Sequence, residues 1–287
     1  MPDSAPLVSH ISDTARWVAM YRAFESERPD AIFHDPYARK LAGPVGERIA
    51  AAMGGTKWAW PMIVRTAVMD EVIQRVVGEG TDTVLNLAAG LDTRPWRLDL
   101  PSSLTWWDVD YPATHEYKRE AMKGEKPKCR IEWAAADLAD RGARKALFTR
   151  VGQSAKRVLV VSEGLLIYLD PAEVRALATD LHEPPSFAHW LIDLASPRLL
   201  AWIQRRNMGK ATAAGGAPMK FGPAEGTAYF EPSGWREIEW HSTGEEARRL
   251  GREMSLAWLW RLMGVFSSAA TREKWRRYAG YALLGRV

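Results

Sequence analysis

The residues with the most chemical potential stand at the ends of short apolar runs. Thr83-Val84-Leu85-Asn86-Leu87 reads as a buried strand, and it runs straight into the small-residue turn Ala88-Ala89-Gly90. Such a turn presents backbone N–H groups and a helix start to a ligand, and Gly90 removes the side chain that would collide with it. Alone, the tripeptide reads equally as a plain strand-to-helix turn. Asp110 gives it weight, because it follows Gly90 by the roughly 20 residues at which an acid ending the second strand accepts bonds from ribose hydroxyls. Asp108 competes from the same strand face, and Asp110 is preferred because it lies at the strand's exit.

A dinucleotide would call for Gly-x-Gly-x-x-Gly, since a pyrophosphate must lie against the turn. The window Ala88 to Thr93 offers one glycine and the acid Asp92. That points to a nucleoside without phosphates, which S-adenosylmethionine is. Two further strand ends carry acids. Asp137-Leu138 is placed to receive an adenine amino group, with a helix N-cap as the alternative. Glu163-Gly164 is placed to attract a cationic sulfonium and amine, with an N-cap-like acid as the alternative. Arg65 is a cation inside an apolar helical stretch and needs a carboxylate, either the cofactor's own or one from the protein. Tyr168, soon after Glu163, would touch cofactor or acceptor, or pack. A carboxylate acceptor needs no base, whereas a phenol or alcohol would need one, for which His10, His34, His115 and Tyr168 are available; none is nominated, because a lone His is more often an ordinary surface or core residue.

The elements that must position these groups alternate. Further strands are expected at Leu104–Val109, Arg130–Ala136, Arg157–Ser162 and Phe187–Leu194, with helices at Tyr111–Met122, Gly142–Val151 and Pro171–His182. This is the pattern of an α/β fold with a doubly wound, mostly parallel, Rossmann-like sheet whose ligands bind beyond the carboxyl ends of the strands. About eighty mainly helical residues precede the first strand: helix, turn, helix over Ser12 to Ala42, then a helix over Pro61 to Val77. They form an N-terminal helical extension, 1–80, packed on a core, 81–287, within a single structural domain. Residues Ser196 to Gly234, rich in Gly, Ala and Pro, read as an insertion or lid. Trp235–His241 and Ala279–Val287 read as two late strands flanking a helix-rich segment that carries Trp and Arg.

Composition narrows the function classes. Over 287 residues, 39 basic side chains are scattered among 35 acidic ones, a net charge of +4 without a basic stripe, so nucleic acid is not an expected partner. The lone Cys129 excludes a disulfide framework and a cysteine-rich zinc site, and no metal is expected. Neither a basic start with an apolar run nor a span of roughly 18 apolar residues is present, so the expected setting is cytoplasmic, without a membrane partner. Fourteen tryptophans suit pocket walls as well as cores.

Taken in order, Arg28-Pro29-Asp30-Ala31 with Asp35-Pro36-Tyr37, Val64-Arg65-Thr66, Asn86 to Arg94, Asp108-Val109-Asp110 with Tyr117-Lys118-Arg119, Asp137-Leu138 and Glu163-Gly164-Leu165-Leu166-Ile167-Tyr168-Leu169 resemble one family across most of the chain. It is the leucine carboxyl methyltransferases and their bacterial small-molecule relatives, of the class I methyltransferase fold. The resemblance implies seven strands, one of them antiparallel, and S-adenosylmethionine as methyl donor. It implies that Arg65 holds the cofactor carboxylate, that Ala88 to Gly90 is the cofactor turn, and that Asp110 takes the ribose. Asp137-Leu138 would take the adenine, and Glu163 would lie by the methionyl group. A basic residue of the first helix, Arg22 or Arg16, would also reach the cofactor. One departure stands out: the family has Gly-Ala-Gly where this chain has Ala88-Ala89-Gly90, which implies weaker or shifted cofactor binding. The expected reaction is O-methylation of a carboxylate or hydroxyl on a small hydrophobic molecule. The alternatives are a protein carboxyl group as acceptor, a nicotinamide-dependent oxidoreductase, and a non-catalytic cofactor-binding protein.

Overall fold

The computed structural model describes residues 12–254 and 267–287. Seven strands, β1 (Thr83–Leu87), β2 (Thr105–Asp110), β3 (Arg130–Ala135), β4 (Val158–Ser162), β5 (Phe187–Ala195), β6 (Trp235–Ser242) and β7 (Ala279–Arg286), form one sheet in the order β3-β2-β1-β4-β5-β7-β6. The first five pair in parallel, and β7 runs antiparallel to both β5 and β6. The strand order reverses between β1 and β4, so the crevice for a ligand opens beyond their carboxyl ends. All five residues of β1 and all five of β4 are buried, as continuous apolar runs in a parallel sheet covered on both faces should be.

Helices cover each face. On one, Val64, Val68, Val72 and Val76 of α3 (Trp60–Gly78) pack with Val84, Leu159, Val161 and Leu191. On the other, Phe148 and Val151 of α6 (Arg141–Ser154) and Val174, Leu177 and Leu181 of α7 (Pro171–His182) pack with Leu85, Val160, Trp190 and Ile192. The short α4 (Arg94–Arg97) follows β1, and α5 (Pro112–Ala121) follows β2. α7 starts where its sequence says it must, with Asp170 and Glu173 closing a capping box around Pro171.

The extension is α1 (Ser12–Ser26), α2 (Ala38–Ala52) and the first turns of α3. Trp17, Met20, Tyr21, Leu41 and Ile49 form a third apolar cluster with Ile63, Leu91 and Trp96, which seats the extension on the loop after β1. The second helix runs ten residues past the Ala42 at which the sequence reading stops it. Gly43, at φ +58, and Pro44 kink it without ending it, because a proline early in the continuing segment lacks only an N–H that would be unpaired anyway.

The 196–234 segment is more ordered than its composition suggests. It holds α8 (Pro197–Gln204), α9 (Asn207–Ala214) and a 3-10 stretch at Gly226–Ser233. After β6 come α10 (Thr243–Arg249) and α11 (Ala269–Arg276), while the middle of the expected Trp- and Arg-bearing helical segment lies outside the described residues, as does His10. No helix among the described residues is long and apolar enough to cross a membrane.

Trp190 is the hub of the second face. It is fully buried, its Nε1 donates to Ser162 Oγ at 2.9 Å, and its ring meets Phe230 and Trp235 edge-on at 5.2 and 5.7 Å. Trp190→Ala is expected to cost about 3 to 5 kcal/mol of unfolding free energy, read from urea denaturation followed by circular dichroism; a loss below about 1 kcal/mol would refute this packing role.

Candidate active site at the strand ends

One cavity of about 1550 Å³ spans the carboxyl ends of the strands and continues beneath the 196–234 segment. Of the residues singled out from sequence as cofactor contacts, Arg22, Arg65, Ala88, Gly90, Asp110, Asp137, Leu138 and Glu163 line it, together with Tyr168. Arg16 does not; its guanidinium lies 3.8 Å from the centre of the Tyr117 ring.

The loop after β1 is pinned from several directions. Gly90 N donates to Asp110 Oδ2 at 2.7 Å, Ala89 N to Val109 O at 3.0 Å, and Asn86 Nδ2 to Asp92 Oδ2 at 2.8 Å. Arg22 holds the loop from α1: its Nη2 donates to Leu91 O at 2.6 Å and its Nε to Asp35 Oδ2 at 2.8 Å. Gly90 sits at φ +52, and a Cβ there would stand 3.1 Å from the Ala15 Cβ, so glycine serves both the turn and the approach of α1. Ala88 is at φ +51, in the left-handed region, unlike any other non-glycine residue described. That conformation costs an L-residue of this kind about 1 to 2 kcal/mol.

Behind the loop lies a chain of buried charges. Arg65 donates through Nε to Glu163 Oε1 at 2.9 Å and through Nη1 to Asp193 Oδ2 at 2.8 Å. Glu163 also faces Arg94 Nη1 at 2.7 Å, and Arg94 bonds Asp92 Oδ2 at 2.9 Å and Asp70 Oδ1 at 2.6 Å. Arg97 grips Asp70 at 2.5 and 2.8 Å. Burial opposes ionisation of Glu163, but Arg94 and Arg65 outweigh it and hold the carboxyl below its ordinary range. Asp92 is likewise desolvated yet held far down by Arg94 and Lys118, and Asp35 by Arg22 and Arg97. Burial pushes the Tyr168 phenol up to about 12. At neutral pH it is therefore protonated, a hydrogen-bond donor and no phenolate base.

The contacts show what each of these side chains does within the chain. Asp108 is wholly buried, 2.5 Å from Lys118 Nζ, and is absent from the cavity wall, whereas Asp110 lines it. Asp137 is exposed and accepts from Ala139 N at 2.9 Å; the N-cap of α6 is Asp140. Glu163 is an ion-pair partner and caps no helix, and Tyr168 sits in a 3-10 turn, Leu166–Tyr168. Arg65 takes the protein's carboxylates, with two of its three nitrogens engaged among the described residues. No histidine among them lines the cavity; His34 is exposed and His115 is buried beside Asp108. The sequence reading missed Asp70 and Asp193. Asp70 is an acid in the same apolar helix as Arg65, a signal of the same kind, and Asp193 is a strand-end acid like the others.

The linkage of Glu163, Asp92 and Asp35 to folding has a definite sign. Their folded-state pKa values are depressed, so their contribution is present above the ordinary carboxyl range and lost as pH falls through the lower folded values. The melting temperature is expected to stay level from about pH 8 to 6 and to fall steeply below about pH 4; a level profile down to about pH 3 would refute the chain's role. Ala88→Gly relieves the left-handed strain, partly offset by the freer unfolded chain, and should leave stability equal or raise it by up to about 1 kcal/mol, whereas Ala88→Val should lower it.

Comparisons with known proteins agree on one relationship. Residues 15–182, more than half of the chain, match the family model described as leucine carboxyl methyltransferase. A Streptomyces coelicolor protein assigned as an S-adenosyl-L-methionine-dependent methyltransferase is 29% identical over 260 residues, 84% of this chain and 88% of that protein. A Rhodococcus jostii protein with the same assignment is 35% identical over 190 residues, 63% of this chain and 64% of its own length, just under two thirds. Among solved structures, a DUF574 family protein from Streptomyces avermitilis superposes with a TM-score of 0.58 at 14% identity, over 95% of this chain and 96% of that one. A protein described as a methyltransferase from Thermobifida fusca gives 0.56 at 17% identity, over 98% and 95%.

Proposed function

The chain belongs to the leucine carboxyl methyltransferase family and is an S-adenosyl-L-methionine-dependent methyltransferase; on that premise we propose that it methylates an oxygen of a small, largely apolar molecule. The observation that carries the acceptor's size and polarity is the cavity. At about 1550 Å³ it exceeds the roughly 300 to 1,000 Å³ of a single-ligand pocket, leaving room for an acceptor beside the cofactor. Beyond the strand ends its walls are Trp17, Tyr21, Trp60, Ile167, Leu199 and Met219, which suit an apolar body enclosed on several sides.

The residues at the strand ends fit the cofactor in charge. Arg22, Arg65, Arg94 and Arg97 stand among six carboxylates, those of Asp35, Asp70, Asp92, Asp110, Glu163 and Asp193. A ligand with a sulfonium, an ammonium and one carboxylate carries a net positive charge and offsets part of that excess. A pyrophosphate would deepen it, which is a physical reason to set aside a nicotinamide dinucleotide. In this reading Asp110 takes the ribose hydroxyls: each of its oxygens accepts one backbone N–H, from Gly90 and Tyr111, and a carboxylate has capacity for more. Asp137 and Leu138 border the adenine, the Ala88–Gly90 turn backs the nucleoside, Glu163 faces the amine, and Arg65 offers its remaining donors to the cofactor carboxylate. Arg22 acts through the loop carbonyl that it holds.

When bound, the cofactor supplies an electrophilic methyl group for in-line displacement. The protein's own contribution is then to bring the acceptor oxygen in line at near-attack distance and to keep water out. No general base is assigned; in this reading protonated Tyr168, which lines the cavity, orients the acceptor by donating a hydrogen bond.

Incubation with methyl-labelled cofactor and a panel of small apolar acids and phenols should give labelled small-molecule product, with mild base separating esters, which it cleaves, from ethers. Label found only on protein acceptors would overturn the reading. Asp110→Ala and Arg65→Ala should each weaken S-adenosyl-L-homocysteine binding in calorimetry by about tenfold to a hundredfold, the scale of a lost charge-assisted bond of about 1.5 to 3 kcal/mol; unchanged binding in both would sink the site assignment. Ala88→Gly should bind it at least as tightly as the wild type.

A further inference from the structure

The arginines of the cavity fall into two sets. The side chains of the inner four, Arg22, Arg65, Arg94 and Arg97, are at most one-tenth exposed and each is ion-paired. Arg198, Arg205 and Arg206 also line the cavity, yet they are exposed, and none pairs with a carboxylate among the described residues. The cavity's acids, Asp92, Asp110, Asp137, Glu163 and Asp193, all follow β1 to β4 or lie on β5, whereas the charged lining from 196–234 is wholly basic. Lys220 of that segment already pairs with Asp170 at 2.8 Å. The cavity is therefore polarised, acidic at the strand ends and basic at its lid.

Helix geometry arranges that basic rim. Arg198, Trp202, Arg205 and Arg206 stand at i, i+4, i+7 and i+8 along α8 and its C-terminal exit, one stripe of a helix. Leu200 and Ile203 on another stripe are buried with Met219. The Arg206 guanidinium lies 4.7 Å from the Trp202 ring centre, and Trp202 meets Trp58, which ends a 3-10 turn ahead of α3, at 6.2 Å. Both indoles are among the few large apolar side chains left about 40% exposed. An aromatic pair bridging lid and extension, edged by guanidinium groups without carboxylates, suits a flat apolar body that ends in an oxyanion.

We propose that the acceptor carries a second, non-reacting oxyanion, a carboxylate or phosphate, which the rim Arg198, Arg205 and Arg206 hold while its apolar body passes Trp58 and Trp202 toward the strand ends. The inference rests on the cavity being the acceptor's as well as the cofactor's. It makes the three arginines determinants of specificity: they select molecules with charge at the far end, and they set the end by which the acceptor enters.

The test uses two probes that share their aromatic rings, 8-anilinonaphthalene-1-sulfonate and its neutral counterpart N-phenyl-1-naphthylamine, titrated by fluorescence into the whole protein. The sulfonate should bind wild type about tenfold more tightly than the neutral probe, and that preference should shrink as salt is raised. In Arg198→Gln/Arg205→Gln/Arg206→Gln the preference should fall to about twofold or less with the neutral probe little changed, and Trp202→Ala should weaken both. These exposed side chains can be changed without opening the core, and melting temperature checks that. Equal affinity of the two probes for wild type, a sulfonate preference that survives the triple variant, or indifference of both probes to Trp202→Ala would each overturn the proposal. Displacement of the sulfonate by 1-naphthyl phosphate and by 1-naphthoate ranks the two oxyanions, and displacement by neither better than by 1-naphthalenemethanol also overturns it. S-adenosyl-L-homocysteine affinity is measured separately; its absence in wild type would count against the cofactor site, while an arginine-dependent preference would still stand.

Discussion

Arg94 occupies the middle of a run of charges that is almost wholly out of water, and the shape of the site follows from how that run is closed. Its guanidinium joins Asp92 of the loop after β1, Asp70 of α3 and Glu163 after β4, and Glu163 passes the connection to Arg65 and so to Asp193 on β5. Each ion costs several kcal/mol to desolvate, so the run is a weak source of net stability even where its geometry is good. What it supplies is definition. Removing one member would strand a charge in a dry interior, and so α3, the loop after β1, the end of β4 and β5 are held in one arrangement at the cavity. The fixed spacing of the groups facing the cavity is the result.

That constraint also explains how the loop tolerates Ala88. A left-handed alanine persists only where its surroundings overdetermine it. The backbone here is tied at Ala89, Gly90 and Leu91 by Val109, Asp110 and Arg22, and Thr93 Oγ1 bonds Asp35 at 2.6 Å. The cost of the extra methyl thus appears as torsional strain within the loop. Gly90, two residues on, has no such latitude, because α1 crosses it at the distance of a methyl contact.

Much of this was legible in the sequence for one reason: strand periodicity and strand-end chemistry are both local. β1 spans the same residues in the sequence reading and in the structure, the other parallel strands agree to within a residue or so at each end, and the acids at their ends mark the cavity floor. What escaped was either short or relational. α8 and α9 are eight residues each, too brief for a clear period, although Ser196-Pro197 is a helix start whose Ser196 Oγ accepts from Leu199 N at 3.3 Å. Asp70 and Asp193 were visible as residues but silent as partners, because nothing in sequence tells which acid answers Arg94 across 24 positions or Arg65 across 128. The kink at Gly43-Pro44 read as an end because its continuation depends on packing with α1.

The same division bears on how acceptor choice is built. The inner charges pair largely with one another, so they have little left with which to discriminate among apolar acceptors. The stretch matching the family ends at residue 182, ahead of β5 and the whole 196–234 segment. The Ala88–Gly90 turn, Asp110 and Glu163 fall inside that stretch, while α8, its arginine stripe and the Met219 wall fall outside it. A framework of buried ion pairs leaves the 196–234 segment free to vary: a residue changed on α8 alters the cavity wall without unbalancing a buried charge. On this argument the strand-end charges and the wall from 196–234 are built separately, and the two meet in the cavity between them.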